Sequence, residues 1–125
     1  MKKLFAVAAL AASVVLSGKV LAHGAKAKHG GIVQTAGDLS FELVRKEGAA
    51  TIYVDDHGKD LATKGASGRL TVLKGTQKVD FPLVAGTNNT LVVQGNPVLA
   101  PGSKAVAAVS FPGRDAISVR FAINK

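Results

Sequence analysis

The stretch DLSFELVRKEGAATIYVDD, residues 38–56, decides the fold of this chain. Leu39, Phe41 and Leu43 alternate with more polar residues, which is the pattern of a β-strand with one buried face. The KEG sequence at 46–48 interrupts this alternation with turn-forming residues, and the residues after it resume a β-type pattern. The stretch therefore predicts an antiparallel hairpin.

The same pattern of short β-type runs and turns continues along the rest of the chain. Pro82 has no backbone N–H to donate, so its strand is expected to be an edge strand or to carry a bulge. Seven or eight short strands without a helix predict an all-β, antiparallel β-sandwich of the Ig-like kind, with a small β-barrel as the alternative. Besides the hairpin, the predicted strands are residues 32–35, 69–74, 78–84, 90–94, 104–111 and 116–123.

The first 22 residues have the pattern of a secretory signal. Lys2 and Lys3 precede an uncharged run of 13 residues from Leu4 to Leu16, and Val-Leu-Ala ends at Ala22, which predicts cleavage after that residue. The uncharged run is shorter than the roughly 20 residues of a membrane span. We therefore expect a periplasmic protein without stable membrane insertion. It would consist of a flexible arm rich in His, Gly and Lys at 23–31 and a single domain at 32–125.

Composition excludes several classes of function. The chain has no cysteine, so neither a disulfide nor a lipid anchor on cysteine is available. It has 16 Lys and Arg residues against 8 Asp and Glu; three of the lysines lie in the predicted signal, which leaves a net charge of about +5. These charges are scattered and the phenylalanines follow apolar faces, so nucleic acid is not an expected partner. Nucleophile, phosphate-loop and dinucleotide motifs are absent, and we expect neither an enzyme nor an organic cofactor.

The three histidines are the candidates for chemistry. Cleavage after Ala22 makes His23 the first residue, whose α-amine and imidazole can chelate one metal ion, and His29 follows on a glycine-rich segment. His57 lies in a turn next to two acidic residues, Asp55 and Asp56, which can supply oxygen ligands or orient a ligand. Nitrogen ligands without a thiolate suit an exposed site for Cu(II) or Zn(II). The structural alternative is a solvated tail and an ordinary Asp-Gly turn.

Four segments carry a resemblance to a known family: HGG.V at 29–33, DLSFELV at 38–44, IYVDDHGKDL at 52–61 and AVAAVSFPGRDAISVRFAI at 105–123. Together they resemble a small β-sandwich module found beside, or fused into, periplasmic adaptor (membrane-fusion) subunits of heavy-metal efflux systems. The resemblance implies a periplasmic role in metal handling, with His29 as the matching polar residue.

Two functions follow from these observations. The first is a periplasmic metal-binding accessory protein for Cu(II) or Zn(II), linked to heavy-metal efflux or resistance, with an efflux or envelope protein as its partner. The second is an interaction module without a metal, which docks on an envelope protein through an edge strand. The strand of Pro82, with Lys74 and Lys78 nearby, is the candidate edge for the second function.

Overall fold

The computed structural model describes residues 26–124, so the predicted signal and His23 lie outside the described residues. This part of the chain has nine strands and no helix, which confirms the all-β prediction. Residues 26–124 accordingly contain no helix with the length and hydrophobicity needed to cross a membrane. The strands are β1 (Ile32–Ala36), β2 (Leu39–Lys46), β3 (Ala49–Asp56), β4 (Lys59–Asp60), β5 (Ser67–Lys74), β6 (Gln77–Ala85), β7 (Thr90–Val93), β8 (Lys104–Ser110) and β9 (Ile117–Ala122).

The hairpin predicted at residues 38–56 forms from β2 and β3. Lys46 pairs with Ala49 across a two-residue turn. Both turn residues have positive φ, 47° at Glu47 and 82° at Gly48. Two positive φ values in a two-residue loop follow the right-handed twist of the flanking strands, which is why this turn type closes hairpins. The turn sets the register that places Glu42 opposite Tyr53.

All strands belong to one antiparallel sheet in the order β1-β2-β3-β7-β6-β5-β8-β9, with the short β4 paired to β3. β7 joins the two halves of the chain, because it pairs with β3 on one side and with β6 on the other. The two ends of the sheet, β1 and β9, lie beside each other without a ladder among the described strands. The fold therefore has the form of the predicted barrel alternative, a single sheet curled until its edges nearly meet.

The inward side chains of this curled sheet form a single hydrophobic core. Polar groups inside it are paired: the Thr63 hydroxyl donates to the Thr90 carbonyl at 2.6 Å, and the Asn89 amide donates to the Val54 carbonyl at 3.0 Å. Within residues 26–124 every buried side-chain N or O atom has a hydrogen-bond partner, so the core carries no desolvation penalty from an unpaired side chain. The largest fully buried apolar side chains are Phe41, Phe121, Leu39, Leu43, Ile52, Leu70, Leu83 and Leu91.

The strand of Pro82 is an edge over only part of its length. β6 pairs with β5 from residue 77 to residue 84, whereas β7 covers only residues 83–85. Pro82 lies where this second ladder ends, and its carbonyl accepts a hydrogen bond from the Gln94 N–H at 2.9 Å. An N–H at residue 82 would also face β7, so proline at this position removes at most one hydrogen bond between β6 and β7.

Candidate functional site

A carboxylate on the outer face of β2 organises the candidate site. Phe41 and Leu43 point into the core, so Glu42 between them points outward. Its side chain is nevertheless only 7% exposed. Residues 28–31 of the N-terminal arm and the ring of Tyr53 on β3 surround it.

Glu42 accepts four hydrogen bonds from the arm. The backbone N–H groups of His29 and Gly31 donate to Oε2, both at 2.8 Å, and the N–H of Lys28 donates to Oε1 at 3.1 Å. The fourth is the His29 imidazole, whose Nδ1 lies 2.9 Å from Oε1. Residues 28–31 are thus attached to β2, although the glycine content predicted a flexible arm throughout.

The same contacts set the protonation of Glu42. Burial is the largest single influence and favours the neutral carboxyl. The His29 imidazole and the N–H groups of Gly31, His29 and Lys28 together outweigh it, so the pKa of Glu42 lies below its ordinary value of 4.5. The site therefore holds a carboxylate at neutral pH.

His29 is fixed by a second contact, with Tyr53. The two rings are stacked with their centroids 3.6 Å apart and their planes 9° from parallel. Tyr53 is the cross-strand partner of Glu42, so the hairpin register places both groups that hold the imidazole side by side. The His29 side chain remains 38% exposed.

The two glycines after His29 explain the HGG sequence. Gly30 has φ of +76°, a conformation that L-residues adopt only at a cost. A Cβ at Gly31 would collide with the backbone carbonyl oxygen of Leu43 and approach Cγ2 of Val44 to 2.8 Å. The arm can therefore lie close enough to β2 for its N–H groups to reach Glu42 only with glycine at 31.

The acidic residues near His57 are engaged by cations. Asp55, which is 15% exposed, accepts the Lys28 ammonium at 2.8 Å. The hydrogen bond to Asp55 is the main cause that raises the pKa of Lys28, against a smaller opposing effect of desolvation. Asp56 lies 2.7 Å from Nδ1 of His57 and 3.8 Å from the Arg114 guanidinium.

His29 and His57 line two different cavities, both of which Lys28 and Asp55 border. His57 lines an open cleft of about 620 Å³ together with Lys26, Lys28 and Asp55. His29 and Glu42 line a separate small pocket that Lys28 and Asp55 also border. Within residues 26–124 no three His, Asp or Glu side chains form a group that could hold a metal ion.

The predicted site residues are thus distributed over two places. The structure joins His57 with Asp56 at the β3–β4 turn, links Asp55 to Lys28, and holds His29 apart from them on Glu42. His23 lies outside the described residues. Sequence reasoning missed Glu42 and Tyr53, although the hairpin turn contained a usable signal. A two-residue turn at 47–48 makes Glu42 and Tyr53 cross-strand partners, so their side chains lie side by side on the same face of the sheet.

Comparison of the chain with protein-family models, with curated proteins and with solved structures gave no match.

Proposed function

We propose that this protein is an exported metal-binding protein in which Nε2 of His29 is one ligand of Cu(II) or Zn(II). The observation that carries the proposal is the 2.9 Å contact between Nδ1 of His29 and the Glu42 carboxylate. Histidines that bind metals usually donate their other ring N–H to a carboxylate or a carbonyl, which fixes the tautomer and makes the ligand nitrogen more basic.

The surroundings of His29 favour this use of the ring. A carboxylate at Nδ1 places the proton there, so the Nε2 lone pair is available for a metal ion. The stack on Tyr53 limits rotation of the ring, and the exposed third of the side chain leaves access from solvent. Orientation of this kind reduces the entropy lost when a ligand binds.

One imidazole is not a complete donor set, and residues 26–124 contain no group of three His, Asp or Glu side chains that could complete it. The remaining donors in the proposal are the α-amine and the imidazole of His23, six residues earlier, after cleavage at Ala22. Nitrogen donors favour Cu(II), then Zn(II). Thioether chemistry for Cu(I) is not available, because the only methionine is Met1.

An exposed site with few ligands suits temporary binding and transfer. We propose that the protein works in the periplasm and passes its metal to an efflux or envelope protein, as the resemblance to adaptor-associated modules implies. Docking on an envelope protein without a metal stays the alternative prediction.

The test is a Cu(II) titration of the mature protein, whose start at His23 is first verified by mass spectrometry. Isothermal titration gives the affinity, and electron paramagnetic resonance counts the nitrogen ligands. We expect His29→Ala to weaken binding at least about tenfold and to remove one nitrogen, since loss of one ligand costs about 1.4 kcal/mol or more. His57→Ala is the matched control and should leave both readouts unchanged.

Glu42→Gln separates a ligand role of His29 from a purely structural one. In this variant the His29 imidazole loses the carboxylate that orients the ring and keeps its proton on Nδ1, so Nε2 is no longer held as the free ligand nitrogen. We expect affinity to fall by about 10- to 100-fold, the usual effect of removing such a carboxylate. Unchanged Cu(II) binding in both His29→Ala and Glu42→Gln would overturn the proposal.

A further inference from the structure

The first half of β6 has an open edge. β5 covers one side of residues 77–84, but β7 ends at Val93 and covers only residues 83–85 on the other side. After Gln94 the ladder stops, and Gly95 has a φ of +106°, which an extended strand does not adopt. No described strand pairs with the earlier residues of β6 on this side.

The backbone groups at this edge can be assigned from the neighbouring ladder. The Gln94 N–H donates to the Pro82 carbonyl, so the polar groups of residue 82 face the β7 side. Successive residues of a strand direct their N–H and C=O groups to alternate sides, so those of Asp80 and Lys78 face the same way. Both residues are exposed. The edge therefore offers two N–H donors and two C=O acceptors to another strand.

Apolar surface adjoins this edge. Val79 is 51% exposed and Val98, on the loop after β7, is 70% exposed. They line an open groove of about 380 Å³ together with Phe81 and Val72. Exposed apolar side chains grouped beside unpaired strand groups are typical of a surface that another strand covers.

We propose that a second copy of this chain pairs with this edge, antiparallel, with the two-fold axis at Val79. Lys78 then lies opposite Asp80 of the second copy, and Asp80 lies opposite Lys78 of the second copy. Each of these two pairs exchanges both backbone hydrogen bonds, and each brings opposite charges together. The two Val79 side chains meet at the axis. Thr71 already holds Asp80 in place, because its hydroxyl donates to Oδ1 at 2.6 Å.

Charge complementarity selects this partner and this register. Only residues whose backbone N–H and C=O groups face the open edge can exchange hydrogen bonds with the second copy. The possible registers are therefore those that place two such residues opposite each other. Centring the axis on Lys78 puts two lysines together. Centring it on Asp80 puts two carboxylates together and uses Pro82, which has no N–H. The Lys-Val-Asp sequence at 78–80 is self-complementary only around Val79.

Analytical ultracentrifugation of the mature protein without metal, over a range of concentrations, tests the pairing. The contact is small, so we expect a dissociation constant on the order of 0.1 mM. Asp80→Lys and Lys78→Asp should each weaken dimerisation at least about tenfold. The double variant Lys78→Asp/Asp80→Lys restores opposite charges in both pairs and should recover the dimer. Asp38→Lys, exposed and distant in the sheet, makes the same charge change as Asp80→Lys and should have no effect.

A second measurement uses the absence of cysteine. Directly opposite residues of a non-hydrogen-bonded antiparallel pair have Cα atoms about 4.5 Å apart, which a disulfide can span. Val79→Cys should therefore form a covalent dimer on mild oxidation. Val92→Cys, also exposed but on the covered strand β7, should not.

The proposal would be overturned by a wild-type chain that is monomeric at about 1 mM, ten times the expected dissociation constant. It would also be overturned by a dimer that both single charge reversals leave unchanged, or by a double variant that dimerises no more strongly than either single variant. Circular dichroism of each variant checks that the fold is retained.

Discussion

Replacing Glu42 by Gln tests whether one buried carboxylate holds the arm to the sheet. The substitution keeps the size of the side chain and removes its charge. One of its two terminal groups becomes an NH₂ donor, which cannot accept the Lys28 N–H. We expect residues 28–31 to detach from β2 and the free energy of unfolding to fall by about 2–4 kcal/mol, from the balance of hydrogen bonding and chain entropy.

The magnitude follows from two opposing quantities. Four hydrogen bonds to a charged group at about 1.5–3 kcal/mol each give roughly 6–12 kcal/mol. Ordering the four residues 28–31 costs about 1–2 kcal/mol each, or roughly 4–8 kcal/mol. Taking the two low values together and the two high values together leaves a net contribution of the arm of about 2–4 kcal/mol. A variant cannot lose more than this, because beyond that point the arm detaches and the rest of the sheet stays folded.

Thermal unfolding and amide hydrogen exchange measure the two parts of this prediction. A loss of about 2–4 kcal/mol corresponds to a midpoint about 8–30 °C lower for a domain of this size. The Gly31 and His29 amides should lose their protection in the variant, while amides of the central strands keep theirs. Glu47→Gln makes the same chemical change in an exposed turn and serves as the control. A Glu42→Gln variant within about 0.5 kcal/mol of wild type, the usual range for surface substitutions, would refute the reasoning, as would full protection at Gly31.

The remaining predictions concern the same site. Gly31→Ala should destabilise the protein by at least about 1–3 kcal/mol, measured by urea unfolding, because its Cβ collides with the Leu43 carbonyl; stability equal to wild type would contradict that contact. Tyr53→Ala should remove the stack on His29 and cost about 0.5–1.5 kcal/mol beyond lost area, whereas Tyr53→Phe keeps the ring and should match wild type. The pKa of Glu42 is lowered, so its contribution to stability is complete above pH 4.5 and is lost as the pH falls through the lower folded value. The wild-type protein should therefore lose this part of its free energy of unfolding only below pH 4.5. Glu42→Gln has no carboxyl to protonate at this position, so its free energy of unfolding should lack this pH dependence.

Local order could be read from the sequence, but the closure of the sheet could not. Alternating residues and turn residues predicted the β2–β3 hairpin, and the strand at residues 104–111 corresponds to β8. Closure depends on β7, which pairs with β3 some forty residues earlier in the chain. A four-residue strand with an exposed Val92 has the same alternation whether it lies in one sheet or two, so its pattern does not distinguish a barrel from a sandwich.

For the site, the sequence identified His29 but not the residues that hold it. The imidazole of His29 and its nearness to the predicted N-terminus at His23 indicate a metal ligand. Glu42 had the pattern of an ordinary solvent-facing residue, since it alternates with Phe41 and Leu43. Only the return of the arm over β2 buries it, and that contact depends on Gly31 having no side chain.

The two acidic residues beside His57 are adjacent in the sequence, but the fold gives them different partners. Asp55 and Asp56 are adjacent in β3, so their side chains point to opposite faces of the strand. Asp55 lies on the same face as Tyr53 and pairs with Lys28 of the arm. Asp56 lies on the other face and contacts His57 and Arg114. The Lys28–Asp55 pair thus adds a second attachment of the arm, next to the one that Glu42 provides. The Lys28 side chain is 49% exposed, and an exposed ion pair contributes little, so Glu42 remains the main attachment of residues 28–31.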